Sequence, residues 1–267
     1  MSKPILRVVS SLESELVSKK PSDAATDRAA IEIVEDVRER GEVALRAHAE
    51  RLGDLEVGAP LVLDRAALES VRVSLPAHQR ELLERTAARI ATFAQAQRDA
   101  LTDMTIEIPG GRAGHKATPI SAAGCYAPGG RFPLPSSVLM TAVTARTAGV
   151  PEVWVASPRP APATFAAAAI AGVDGFLAVG GAQAIAALAF GTVTPRVDLI
   201  AGPGNRWVTA AKRYLFGEVG IDLLAGPSEL TIVADHTGDP IRIAADLIAV
   251  AEHDVDALPV LVSTERS

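Results

Sequence analysis

The chain is 267 residues long, with 48% hydrophobic and 22% charged residues and a formal net charge of −6. That composition excludes a disordered, collagenous or coiled-coil chain, and the acidic balance leaves no whole-chain electrostatic footprint for nucleic acid or an anionic membrane. The length suits about two domains with a real core that needs no disulfide or metal staple, and the single cysteine, Cys125, has no internal partner and fits a reducing compartment.

Taken in chain order, Met1 to Glu15 carries Lys3, Arg7, Glu13 and Glu15 and lacks the apolar run of a signal peptide, which points to a cytoplasmic protein. Residues 1–24 read as an N-terminal segment. Asp23 is placed to cap a helix through Ala30, Ile31, Ile33, Val34 and Val37, with a kink or break at Gly41 before Val43, Ala44 and Leu45. Pro60 to Leu63 reads as a short strand. A long helix begins near Pro76 and runs through Leu82, Leu83, Ala87, Ile90 and Phe93 at helical spacing. Thr105 to Ile108 alternates and ends in Pro109-Gly110-Gly111, a strand and a turn.

The next region is rich in Ala, Gly and Pro. Strand-like runs at Val153–Ala156, Phe176–Val179 and Val197–Ile200 alternate with helical runs at Pro135–Ala148, Pro162–Ala171, Gln183–Phe190 and Arg206–Phe216. This rhythm predicts an α/β fold with a parallel sheet covered by helices on both faces. Gly- or Pro-rich turns open the helices: Ala127-Pro128-Gly129-Gly130, Ser157-Pro158-Arg159-Pro160, Val179-Gly180-Gly181-Ala182 and Ala201-Gly202-Pro203-Gly204-Asn205. In such sheets these turns gather at the carboxyl edge of the strands, where ligands bind. The uncharged stretch Gly175 to Pro195 has the length of a membrane span, about 20 residues, but Gly180-Gly181, Gln183, Thr192 and Pro195 make it a strand, a turn and a helix. Beyond it, Leu230–Ala234 and Leu258–Val262 read as strands and Pro240–Glu252 as a helix.

Between residues 119 and 217, Arg131, Arg146, Arg159, Arg196, Arg206, Lys212 and Arg213 outnumber Glu152, Asp174 and Asp198. Such a locally positive segment, with its helix N-termini, suits a pyrophosphate, or is a solubilising surface. The dinucleotide fingerprint G-x-G-x-x-G is incomplete: Gly202-Pro203-Gly204 is followed by Trp207 at the third glycine place. The residues alone thus point to an α/β protein, an enzyme, with a phosphate- or nucleotide-binding sheet edge.

More specific are the strings Cys125-Tyr126-Ala127-Pro128-Gly129-Gly130, Pro133-Leu134-Pro135-Ser136-Ser137-Val138-Leu139-Met140, Val179-Gly180-Gly181-Ala182-Gln183-Ala184-Ile185, Gly202-Pro203-Gly204-Asn205, Ala225-Gly226-Pro227-Ser228-Glu229 and Ala251-Glu252-His253. In this order the chain resembles the histidinol dehydrogenase family over nearly its whole length. The resemblance implies NAD-dependent oxidation of L-histidinol to L-histidine in two steps, incomplete Rossmann-like domains, a metal (usually zinc) and an intertwined homodimer acting on a small molecule. It implies NAD contacts at Tyr126, Gln183 and Asn205, a substrate contact at Ser228, and a metal and substrate contact at His253. A neutral imidazole suits zinc, and Gln and Asn offer paired donors and acceptors. It further implies a first α/β domain from residues 25–118 plus 231–267 and a second, Rossmann-like one from 119–230.

Each residue also has a structural reading. Tyr126 could be core packing, Gln183 a helix cap, Asn205 a turn residue, Ser228 a turn or cap residue, and His253 an ordinary histidine. The glycine pairs could serve only tight turns, and Cys125 reads as a small buried hydrophobe. His48, His78, His115 and His236 receive no role.

Two departures from the family pattern stand out. Val250 occupies the place of a metal-ligating glutamine, and an isopropyl group cannot coordinate a metal. Family members also continue past the equivalent of residue 267, into a part that carries a Glu-His acid and base pair and two further metal ligands. Glu252-His253 is a different pair, so no catalytic residue is assigned. The expectation is that this polypeptide alone has weak or no histidinol dehydrogenase activity, with the first domain's sheet unfinished and 119–230 intact. Two alternatives accompany it: a dehydrogenase of the same family for another amino alcohol or hydroxy compound, and a non-catalytic dinucleotide- or partner-binding remnant.

Overall fold

Asp23 starts the first helix as its side chain predicts, its Oδ1 accepting the backbone N–H groups of Ala25 at 2.9 Å and Thr26 at 2.8 Å. The computed structural model describes residues 23–129, 133–224, 228–253 and 257–264, with the side chains of 252 and 253 outside that description. Residues 1–22 of the N-terminal segment, Gly130, Arg131 and the Ala225-Gly226-Pro227 part of the later turn therefore lie outside the described residues. The helical N-terminal part comprises α1 (Ala24–Arg40), α2 (Glu42–Arg51), a strand β1 (Val62–Asp64), α3 (Arg65–Ser74) and α4 (Ala77–Asp99). Gly41 breaks α1 from α2 with φ of 56°. The sequence reading passes over α3, although Asp64 caps it, accepting the Ala67 N–H at 2.8 Å, and Ala67, Leu68 and Val71 recur at helical spacing. The alternating strand becomes an exposed hairpin, β2 (Met104–Ile108) with β3 (Gly111–His115).

The central sheet is built from β4 (Ala122–Tyr126), β5 (Glu152–Ala156), β6 (Gly175–Leu177), β7 (Leu199–Ala201) and β8 (Gly220–Ile221), connected by α5 (Pro135–Thr147), α6 (Pro162–Ala171), α7 (Gly181–Phe190) and α8 (Arg206–Leu215). Its order is β1-β6-β5-β4-β7-β8, parallel throughout except for β1, which closes one edge antiparallel to β6. Successive strand residues face opposite sides. Ala122, Tyr126, Ala156, Leu177 and Ile200 join α1, α2, α7 and α8 in one core, whereas Ala123, Cys125, Val153, Val155 and Phe176 join α3, α4, α5 and α6 in the other. α7 is buried from Ala182 to Ala189. Its alanines allow close approach, while Ile185 and Leu188, fully enclosed, each contribute about 1.5–3 kcal/mol of burial.

The chain divides into two compact units. One is Ser22–Ala225, and the described part of the other runs from residue 228. The second contains β9 (Glu229–Ala234), α9 (Pro240–His253) and β10 (Leu258–Ser263), a βαβ unit with its strands parallel and Glu229 opposite Leu258. This grouping differs from the expected division at residue 118. The reason is that α1–α4 bury their apolar residues in the same two cores that cover the β4–β8 sheet. Among the described residues, no helix is long and apolar enough to cross a membrane.

Candidate functional site: the carboxyl edge of the sheet

β4, β5 and β6 progress outward in one direction, and the chain then returns to place β7 and β8 on the other side of β4. The connections after β4 and β7 therefore leave toward opposite faces, the arrangement that in open parallel sheets makes a crevice between the carboxyl ends. This is the usual ligand position in an open parallel sheet. Tyr126 ends β4 on one side of this crevice, and Gly202-Pro203-Gly204-Asn205 follows β7 on the other.

These two walls touch. The Cα of Gly202 approaches β4 so closely that a Cβ there would lie 2.0 Å from the Tyr126 carbonyl oxygen, and its φ of 127° is one that side chains rarely adopt. Glycine is thus demanded twice, by space and by backbone conformation. The turn is clamped by an ion pair between buried Lys212 and the partly exposed Asp222. Lys212, 3% exposed, donates from Nζ to the Gly202 carbonyl at 2.6 Å and to Asp222 Oδ1 at 2.7 Å. Asp222 Oδ2 in turn accepts the Gly202 N–H at 2.8 Å. Asn205 caps α8, its Oδ1 accepting from Trp207 N at 3.0 Å and Val208 N at 3.2 Å, while the residue stays exposed at the turn. Asn205, read from the sequence as a turn residue or an NAD contact, is thus a helix cap, which fixes its side chain at this turn.

Tyr126 and Gln183 meet at the start of α7. Tyr126 is 2% exposed, and its hydroxyl oxygen accepts the Gly181 N–H at 3.1 Å. Burial, the largest effect, pushes the phenol above its ordinary pKa, so it stays protonated. Gln183 is 1% exposed and makes no cap bond to its own helix. Instead its Nε2 donates to Asp54 Oδ2 at 2.8 Å, and the same oxygen accepts the Gly180 N–H at 3.0 Å. Gln183 Oε1 is buried with no hydrogen-bond partner. It lies 2.8 Å from where a Cβ on Gly181 would sit, and Gly181 has φ of 63°. Burial raises the Asp54 carboxyl pKa, opposed by the bonds from Gly180 and Gln183 and by the charge of Arg159. Arg159 itself is exposed in the turn after β5 and held at φ of 44°, a strained position for a side-chain-bearing residue.

Two members of this site had no signal in the sequence. Asp54 lies 126 and 129 residues from its partners, in what reads as a polar turn after a helix. Lys212 was counted as free positive charge, whereas its charge faces Asp222. Arg146 is likewise engaged by Asp174, Arg206 lies 3.7 Å from Asp23, and Arg213 pairs with Asp27 at 3.1 Å. The locally positive segment is thus largely internally compensated, with Arg159 the described basic residue in these edge turns. Cys125 faces the α5 core, where burial pushes its thiol up to about 12, as suits a small buried hydrophobe.

Ser228 and His253 belong to the second unit. Ser228 precedes β9 and accepts the Leu258 N–H through its backbone carbonyl at 2.9 Å, and His253 ends α9. The side chain of His253 lies outside the described residues. Val250, one turn earlier, offers no donor atom, and among the described residues no group of three or more His, Cys, Asp or Glu is arranged to hold a metal ion. Two cavities elsewhere among the described residues are lined by none of the expected site residues. One of about 530 Å³ lies beside Arg196, Asp198 and Phe216, and an open groove of about 1420 Å³ runs between α4 and α5 over Ala123 and Leu199.

Comparison with known proteins agrees with this architecture. Residues 17–267 match the family model described as histidinol dehydrogenase. Histidinol dehydrogenase of Pseudomonas putida (strain KT2440) is 46% identical over 253 residues, covering 92% of this chain and 57% of that protein. The enzyme of Aromatoleum aromaticum is 43% identical over 264 residues, covering 96% and 60%. The crystal structure of histidinol dehydrogenase from Elizabethkingia anophelis superposes with a TM-score of 0.82 at 30% identity, covering 93% of this chain and 58% of that one. The chain thus spans well under two thirds of the length of these relatives. Its motifs, its α/β sheet order and these similarities together make it a member of the histidinol dehydrogenase family, an oxidoreductase family of histidine biosynthesis.

Proposed function

We propose that the unit Ser22–Ala225 binds NAD at the crevice between β4 and β7, and that the chain is the dinucleotide-binding part of an NAD-dependent oxidation of L-histidinol to L-histidine. The observation that carries this reading is the buried, unpaired Oε1 of Gln183. An acceptor enclosed without a donor costs about 1–3 kcal/mol, and a ribose hydroxyl or carboxamide N–H of NAD removes that cost. NAD, when bound, supplies the acceptor for the hydride leaving the substrate's carbinol carbon. The chain's own residues bind and orient. Tyr126 holds the Gly181 N–H and walls the crevice, Gln183 accepts from the ligand, and Asn205 offers its amide from the opposite turn.

A metal does not fit the donors offered by the described residues. Structural and catalytic zinc sites take three or four protein ligands, and α9 offers one imidazole, His253, with an isopropyl group at Val250. No step is therefore assigned to zinc. Ser228 and His253 remain the proposed substrate contacts, and the 267-residue polypeptide is expected to turn over histidinol weakly or not at all. Val250 also favours a second reading, in which the substrate is another amino alcohol or hydroxy compound, or the chain binds dinucleotide without catalysis. A homodimer in the cytoplasm accompanies the family reading, and light scattering tests the former.

Calorimetric titration of the purified protein with NAD, histidinol and zinc separates these readings. Micromolar to millimolar NAD binding is expected, and NAD binding without zinc binding favours the non-catalytic remnant. Absence of NAD binding refutes the proposed function, and ordinary turnover with zinc present refutes the expected weak activity.

A further inference from the structure

Asp54 carries no role in any motif, yet it reaches from the turn after α2 to the first turn of α7. Its Oδ2 accepts from both the Gly180 backbone and Gln183 Nε2, at 3.0 and 2.8 Å. A carboxamide has one end that donates and one that accepts, and the two are nearly identical in shape. An oxygen of Asp54 at this position is satisfied only by the donor end. The acceptor end, Oε1, is thereby turned toward Gly181, buried and without a partner among the described residues. Were the carboxamide reversed, its oxygen would face the Asp54 oxygen, two acceptors in contact, and the NH₂ group would face the ligand.

We propose that Asp54 is a positioning residue that fixes the donor–acceptor polarity of Gln183, so that this end of the site accepts a hydrogen bond from its ligand and selects a ligand group that donates one. Ribose hydroxyls and a carboxamide NH₂ qualify, and a fully ionised phosphate does not. The inference rests on the dinucleotide reading for the identity of the ligand, but the orientation of Gln183 stands on the apo geometry alone.

The test is a double-mutant cycle on the full 267-residue chain, with NADH affinity read by the fluorescence of the bound nicotinamide. Asp54→Ala is expected to weaken NADH at least tenfold. Asp54→Asn, whose carboxamide oxygen can occupy the Oδ2 place, is expected to bind within threefold of the parent. In a Gln183→Ala background, Asp54→Ala is expected to cost no more than a further twofold, because Asp54 acts through Gln183. An equal loss in both backgrounds overturns the inference, as does unchanged affinity in Asp54→Ala. A readout free of NADH guards against failure of the dinucleotide reading itself. The side-chain amide ¹⁵N–H₂ signal of Gln183, assigned by its disappearance in Gln183→Ala, is expected to exchange slowly with solvent in the parent and at least tenfold faster in Asp54→Ala. If the parent binds no NADH, the dinucleotide reading fails while this signal still decides the role of Asp54. Equal exchange in the two proteins refutes it. Thermal unfolding of each variant identifies any that fail to fold, and Asp54→Asn then carries the comparison.

Discussion

Replacing Gly202 by alanine tests how tightly the crevice is built. The added Cβ would stand 2.0 Å from the Tyr126 carbonyl oxygen, about 1.4 Å inside the 3.4 Å at which ordinary contact begins. The obstacle is backbone in the centre of the parallel sheet, so it cannot swing aside as a side-chain tip would. Overpacking of this kind costs about 1–3 kcal/mol. The φ of 127° at this position adds about 1–3 kcal/mol for a residue with a side chain. The two together predict a loss of about 2–6 kcal/mol, a large share of the roughly 5–15 kcal/mol typical of a whole domain. Urea unfolding followed by circular dichroism measures it, and a fall in melting temperature of roughly 10 °C is the corresponding thermal shift. Because the displaced groups belong to both walls of the crevice, NADH affinity falls with stability. A change below about 1 kcal/mol would refute the close approach of β7 to β4, which rests on the same geometry.

Other outcomes follow from the same contacts. Lys212→Met removes the cation that holds the Gly202 carbonyl and Asp222. Breaking a buried pair costs about 3–5 kcal/mol, and the lower end applies because the Asp222 side chain is 25% exposed; denaturant titration against Lys212→Arg checks it. The Asp54 carboxyl is raised by burial, so the folded chain binds its proton more readily than the unfolded chain. Its contribution to stability therefore falls as pH rises from just below 4 through the folded-state pKa, and urea midpoints across pH 3.5 to 7 are expected to lose that decline in Asp54→Asn. Cys125, with its thiol raised to about 12, is expected to react with a thiol reagent only as the protein unfolds, so its labelling rate should track unfolding in urea.

Local chemistry was legible in the sequence wherever it decided the structure. Asp23 and Gly41 bound α1, Pro135 and Pro162 open α5 and α6, and the glycine-rich turns fall at strand ends because each change of direction needs its own backbone geometry. The β-α rhythm likewise predicted a parallel sheet with two helical layers. What escaped depends on partners far apart in the chain. Nothing near Val62 announces that β1 runs antiparallel to β6. α3 was passed over despite its Asp64 cap and the spacing of Ala67, Leu68 and Val71, because it follows β1 directly with no turn residue to separate the two. At the candidate site, family resemblance offered Tyr126, Gln183 and Asn205 as NAD contacts, but not the hydrogen bonds each makes within the fold. Asp54 comes from a turn more than a hundred residues away in sequence, and the charge of Lys212 is cancelled by an aspartate ten residues on.

The crystal structure of the chain soaked with NAD tests the central claim most directly. The dinucleotide reading predicts NAD in the crevice between β4 and β7, with a hydroxyl or amide donor of the ligand within hydrogen-bond distance, about 3 Å, of Gln183 Oε1. NAD bound elsewhere, or seated in the crevice with that oxygen still unpaired, contradicts it.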